Sequence, residues 1–346
     1  MKKNITYTIT AIIILFILVF FANKYLNSYI LRILNLCAIY TVLGLSMNLI
    51  NGFTGLFSLG HAGFMAVGAY TTAMLTMPIA TKQMNFFLAP LISPLDKIVL
   101  PFLPSLLLAG VLSAFVAFLI GAPVLRLKGD YLAIATLGFS EIIRIIFTNT
   151  QTITNGALGL KGIPATTNLW WSVGTAAVTI LIMVLLINSS FGRAFKAIRE
   201  DEIAAESMGI SLFKHKVLSF AIGAFFAGIG GGLLGNLMGT IDPLMFRFFM
   251  TYNILLIIVL GGMGSITGTI ISAFIITIAQ EVLRFLDEPI FPNIPALPGL
   301  RMVVFSILLM LVVLFFRQGI MGTREFSWDK FFRFFTRKPL SKGGAR

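Results

Sequence analysis

Two acidic residues in otherwise apolar stretches each have an arginine three positions on: Glu141 with Arg144, and Glu281 with Arg284. An acid held in an apolar layer can carry a proton or a cation, which is the chemistry of an ion-coupled carrier. A spacing of three also puts both side chains on one helix face, where they neutralise each other. Ion coupling calls for an unpaired acid at mid-depth, so these residues read as structural ion pairs near helix ends. Arg247 and Arg301 flank apolar runs without an acidic neighbour and read as interfacial anchors.

Other reactive groups are scarce. His61 and His215 are the only histidines and Cys37 the only cysteine. That excludes an H-E-x-x-H zinc set, a cysteine metal site and a disulfide framework within the chain. No Ser/His/Asp set and no G-x-x-x-x-G-K-[ST] phosphate loop is present, so no catalytic or metal-binding residue is assigned. His61 reads as a hydrogen-bonded structural residue, with direct substrate contact as the alternative.

The stretch NGFTGLFSLGHAGFMAVGAY, residues 51–70, lies inside a run without formal charge from Ile33 to Thr81, yet it is rich in glycine. Small residues let helix backbones approach closely. Alternatively, the span is discontinuous, and its freed backbone groups line a cavity or pack on protein. The second reading makes Asn48, Gly52, Gly55, Ser58, Gly60, His61 and Gly63 translocation-pathway candidates. A second glycine cluster, Gly261, Gly262 and Gly264 with Gly268, joins them; close packing is the competing reading for both.

The elements that carry these residues follow from composition. The chain has 346 residues, 58% hydrophobic and 11% charged, with a mean hydropathy of +0.96. Soluble domains are about 45–50% apolar and about 25% charged, so this chain needs lipid. A bilayer span takes about 20 apolar residues, which predicts ten spans near 5–22, 29–50, 53–77, 102–123, 130–149, 169–187, 217–240, 248–262, 266–285 and 300–316. With the N-terminus inside, 17 of the 26 Lys and Arg fall in inner segments, as the positive-inside rule requires. The net charge of +13 is thus a topology signal and a contact with membrane lipid, and no nucleic-acid partner is expected.

The expected fold is all-α, a polytopic transmembrane helical bundle with both termini cytoplasmic. One transmembrane domain fills 1–346: an extra, uncleaved N-terminal helix (1–28), a first group of spans (29–187), a polar cytoplasmic loop (188–216), a second group (217–316) and a basic tail (317–346). The outer loops at 78–101 and 286–299 are rich in proline, which blocks helix continuation. The tail mixes aromatic and basic residues, suiting either an anionic lipid surface or partial disorder. In the polar loop, Ala194 to Met208 reads as one helix stopped by Gly209. A short helix fixed between two spans is a rigid handle; a merely solvated loop is the alternative.

That loop resembles the cytoplasmic coupling loop of ATP-binding-cassette importer permeases. Their signature is Glu-Ala-Ala, three residues, then Gly; here Ala204-Ala205 and Gly209 match, but Ile203 stands at the Glu position. GRAFKAIREDEIAAESMGI, GFTGLFSLGHAGFMAVGAY, Val259 to Gly268 and Phe315 to Gly322 together resemble the LivM-type branched-chain amino acid permeases, over about 35–322. The resemblance implies a permease subunit that binds no cofactor, with ATP hydrolysed by partner subunits. Implied partners are a second, homologous permease subunit, two ATP-binding subunits and an extracytoplasmic substrate-binding protein, in the bacterial cytoplasmic membrane. The implied coupling residues are Gly192, Arg193, Ala197, Arg199, Glu200, Asp201, Glu202, Ala204, Ala205 and Gly209. Permeases for other amino acids, amides or urea, and an ion-coupled secondary transporter, are the alternatives.

Overall fold

A computed structural model describes residue 14 and residues 16–127, 129–287, 299–315, 319–322 and 325. The readings made for 1–13, Lys128, most of the loop at 286–299, the Arg301 side chain and the tail beyond Glu325 fall outside the described residues.

The described residues form fourteen α-helical segments. They are α1 (Phe16–Tyr25), α2 (Ser28–Asn48), α3 (His61–Thr76), α4 (Ile79–Asn85), α5 (Phe102–Val124), α6 (Asp130–Asn149) and α7 (Gln151–Thr154), then α8 (Leu169–Asn188), α9 (Ser190–Glu200), α10 (Glu202–Ser207), α11 (Leu212–Met238), α12 (Phe248–Gly261), α13 (Ile266–Val282) and α14 (Leu300–Phe315). Among the described residues, five helices are long and apolar enough to cross a membrane: Ser28–Phe53, α5, α6, α8 and α11. Among the described residues, the all-α expectation holds apart from one two-residue antiparallel ladder, β1 (Leu160–Lys161) on β2 (Thr240–Ile241).

Helix α11 is the centre of the bundle, packed against α3, α5 and α2. It can be central because its sequence AGIGGGLLG presents backbone where other helices present side chains. A methyl group added at Gly68 of α3 would lie 2.0 Å from the Gly228 carbonyl oxygen, and one at Gly231 would lie 2.2 Å from that of Met65. Helices α2 and α13 pack together beside this core, and α12 closes the same side. At the end bearing β1 and β2, Lys82 is fully buried. Its ammonium donates to the carbonyls of Leu95 at 2.8 Å and Ile98 at 2.6 Å.

Three sequence expectations need correction. The span placed at 53–77 begins only at His61: Leu49–Phe53 is a π turn and residues 54–60 are irregular, so the bounds are wrong while the discontinuity read from the glycines of 51–63 is present. Gly55, at φ +74°, adopts a conformation that side chains disfavour. The freed backbone is held locally, since the Asn51 side chain donates to the Ser58 carbonyl at 3.1 Å. The helix placed at 194–208 is two helices, because Asp201 is extended and its carboxylate accepts from the Ile203 and Ala204 N–H groups at 2.8 and 3.0 Å. An N-cap of this kind starts a new helix. The span placed at 217–240 begins earlier, at Leu212.

Candidate functional site

Helices α9 and α10 form an elbow between α8 and α11. Gly192 is needed at its start, since a Cβ there would lie 2.3 Å from the Ile187 carbonyl oxygen. Ala194, Phe195 and Ile198 bury one face of α9, leaving Arg193 exposed. Glu202 receives the buried Lys216 ammonium at 2.6 Å, which ties α10 to α11. The end of α10 is a Schellman cap: Ile210 N–H donates to the Ala205 carbonyl at 3.1 Å and Gly209 N–H to that of Glu206 at 2.9 Å. Gly209 sits at φ +81° as this cap requires. Ala204 is exposed and Ala205 is buried within the chain itself.

Arg199 carries the elbow into the break between α2 and α3. Its Nη1 donates to the Gly52 carbonyl at 3.0 Å, while its Nε and Nη2 donate to Glu200 at 3.1 and 2.5 Å. Its stem fills the space a Cβ at Gly55 would need, 2.8 Å from Arg199 Cγ. A Cβ at Gly264 would lie 2.6 Å from Arg199 Nη1. Asn48, fully buried, closes the same junction from α2. Its amide nitrogen donates to the Ser265 carbonyl at 2.9 Å and the Thr269 hydroxyl at 2.8 Å, and its amide oxygen accepts from Gly264 N–H at 2.9 Å. Candidates drawn separately from the polar loop and from both glycine clusters therefore meet in one place.

The chain after α14 returns to this junction. Ile320 and Met321 N–H groups donate to the carbonyls of Leu260 and Gly261 at 2.7 and 3.1 Å. Gly262, at φ +107°, lies so close to Gly322 that a Cβ would fall 2.4 Å from its carbonyl oxygen. The Glu325 carboxylate accepts from the N–H groups of Ile266 at 2.6 Å and Thr267 at 3.1 Å, at the positive end of α13. Glu325 was not foreseen, and only its acidic charge within a basic tail could have singled it out.

The remaining candidates are packed rather than gathered around open space. Gly60 lies against the Thr136 carbonyl, Gly63 against Ser140, and Gly261 against Gly268. Ser58 is buried and bonded through its backbone to Asn51. His61 Nε2 is hydrogen-bonded to Ser46 Oγ at 2.8 Å, the structural role expected of it. Both acid–arginine pairs form, Glu141–Arg144 at 2.6 Å and Glu281–Arg284 at 3.1 Å. The α11 glycines were missed as packing residues, although GIGGGLLG shows the small-residue spacing that would have marked them.

This architecture defines a helical, multi-pass membrane protein with a short helical elbow clamped to breaks in the spans. The profile of the family described as "Branched-chain amino acid transport system / permease component" matches residues 29–314. The chain belongs to that family. It is 38% identical to the high-affinity branched-chain amino acid transport system permease protein LivM of Salmonella typhimurium, over 72% of this chain and 62% of that protein. It is 36% identical to LivM of Escherichia coli, over 74% and 64%. LivH of Salmonella typhimurium, a permease protein of a system described in the same words, is 26% identical over 83% and 92%. The chain thus spans slightly under two thirds of the length of the two LivM relatives. No solved structure matches.

Proposed function

We propose that the chain is a permease subunit of an ATP-binding-cassette importer for branched-chain amino acids. The observation that carries this reading is the family match across 29–314 together with an elbow built as a handle on the spans. The relatives include both LivM and LivH, which supports a heterodimer with a second, homologous permease. Two ATPase subunits and an extracytoplasmic binding protein complete the proposed complex, in a bacterial cytoplasmic membrane. The chain has ten spans and two cytoplasmic termini in this reading, which puts the elbow beside the ATPases.

The proposed mechanism is alternating access. ATP closes the ATPase pair and moves the elbow; Arg199 transmits that movement to Gly52 and Gly264, and the breaks before His61 and Ile266 repack to switch the opening. The handle supplies force transmission only, with ATP hydrolysed on the partner subunits. Purification of the tagged chain from its native membrane in mild detergent tests the assembly. An ATPase and a second permease should co-purify, and the recovered complex should take up leucine in vesicles. Recovery of the chain alone, in conditions that preserve such complexes, sinks the proposal.

A further inference from the structure

Away from the elbow, α2, α12, α13 and α14 line a partly open cavity of about 330 Å³. Its size falls in the range of small-ligand sites, about 300–1,000 Å³. One wall is polar, with Tyr252 and Asn253 from α12 facing Gln280 and Glu281 from α13; Leu256 and Phe305 line another part. Unpaired amide groups in apolar helices are costly and often mark a functional site. Gln280 donates to the Asn253 amide oxygen at a long 3.4 Å. Among the described residues, the Asn253 amide nitrogen and the Gln280 amide oxygen hold no hydrogen bond. One is a donor and the other an acceptor, and both line the cavity. Glu281, beside them in the lining, is already engaged, accepting from Tyr29 at 2.8 Å and Arg284 at 3.1 Å.

We propose that this cavity binds a small zwitterion with an apolar side chain, as a station on the transport path. The inference rests on the importer reading above. An ammonium group would meet the Gln280 carbonyl; a carboxylate would meet the Asn253 amide and the Tyr252 hydroxyl; the side chain would lie toward Leu256 and Phe305. A lipid chain is a poorer occupant, because it would leave both amides unpaired in an apolar layer.

The test is uptake of tritiated leucine and alanine by the complete complex in proteoliposomes, with assembly and substrate-independent ATPase activity as controls. Asn253→Leu and Gln280→Leu should each slow uptake of both amino acids about tenfold, the loss of one charge-assisted hydrogen bond. Leu256→Phe should slow leucine uptake more than alanine uptake, because it shortens the apolar end. Normal uptake in assembled amide variants overturns the inference. So does an equal loss of leucine and alanine in Leu256→Phe, which would be a merely structural effect. A wild-type complex that hydrolyses ATP but moves no amino acid overturns the importer reading, and this inference with it.

Discussion

The Arg199 guanidinium donates to the Gly52 carbonyl at 3.0 Å across 147 positions of sequence, so one side chain joins the elbow to the break between α2 and α3. The break frees backbone groups that must find partners in an apolar setting, and Arg199 is the partner for this carbonyl. Arg199→Ala should leave membrane insertion and ATPase activity intact while cutting transport by tenfold or more, about the worth of one charged hydrogen bond. Arg199→Lys should recover only part of it, since an ammonium lacks the planar fork that reaches Gly52 and Glu200 together. Paired uptake and ATPase assays on reconstituted protein decide this. Full transport by Arg199→Ala would remove the junction from the mechanism.

Glycine matters at the junction for space. A Cβ at Gly52 would fall 1.8 Å from Asn48 Oδ1 and 2.5 Å from Gly264 N. It would displace the amide that holds Gly264, Ser265 and Thr269 to α2. Gly52→Ala should therefore cost roughly 1–3 kcal/mol. Gly174 of α8 has nothing within 4 Å of its added Cβ, and Gly174→Ala should be neutral or stabilise by about 0.5–1 kcal/mol. Thermal unfolding in detergent compares the two, and equal effects would contradict the packing argument.

What was legible in the sequence follows from the range of each signal. Gly209 as a helix stop and the Glu–Arg pairs are local, and the structure places them as the sequence suggests. Asp201 is also local, yet its cap was hidden inside a stretch whose Ala, Glu and Arg content favours one continuous helix. The meeting of Arg199 with Gly52 and Gly264 is different in kind. It depends on how α2, α9 and α13 stack, which no short pattern encodes. For the same reason, the glycines of 51–63 announced a special backbone without saying whether a cavity or a neighbour would occupy the space.

Burial pulls the Lys82 ammonium below its usual pKa of 10.5, an effect that the nearby Asp96 opposes. The unfolded chain then holds more protons than the folded one between the lowered value and 10.5, so this residue's contribution to stability rises with pH across that window. Below the window its burial is a constant cost. The Tm of the wild type relative to Lys82→Met should therefore increase as pH climbs toward 10.5. A difference independent of pH would mean that the ammonium is not desolvated.

The elbow presents two faces that mutations can separate. Ile203 is 75% and Met208 83% exposed, whereas Ala205 is only 4% exposed. Two apolar side chains held in the open beside a Schellman cap suit a partner surface, here the proposed ATPase. Ile203→Asp and Met208→Asp should leave Tm unchanged and reduce ATPase co-purification severalfold. Ala205→Trp should lower Tm first, because the indole must enter the chain's own packing. Gly209 separates a third cause: a Cβ there meets nothing within 4 Å, so any loss comes from its φ of +81°. Asn tolerates that region and β-branched residues do not, so Gly209→Asn should stay near wild type while Gly209→Val weakens the cap and the docking together. Equal behaviour of the two Gly209 variants would place the requirement in the partner's groove rather than in this chain's backbone.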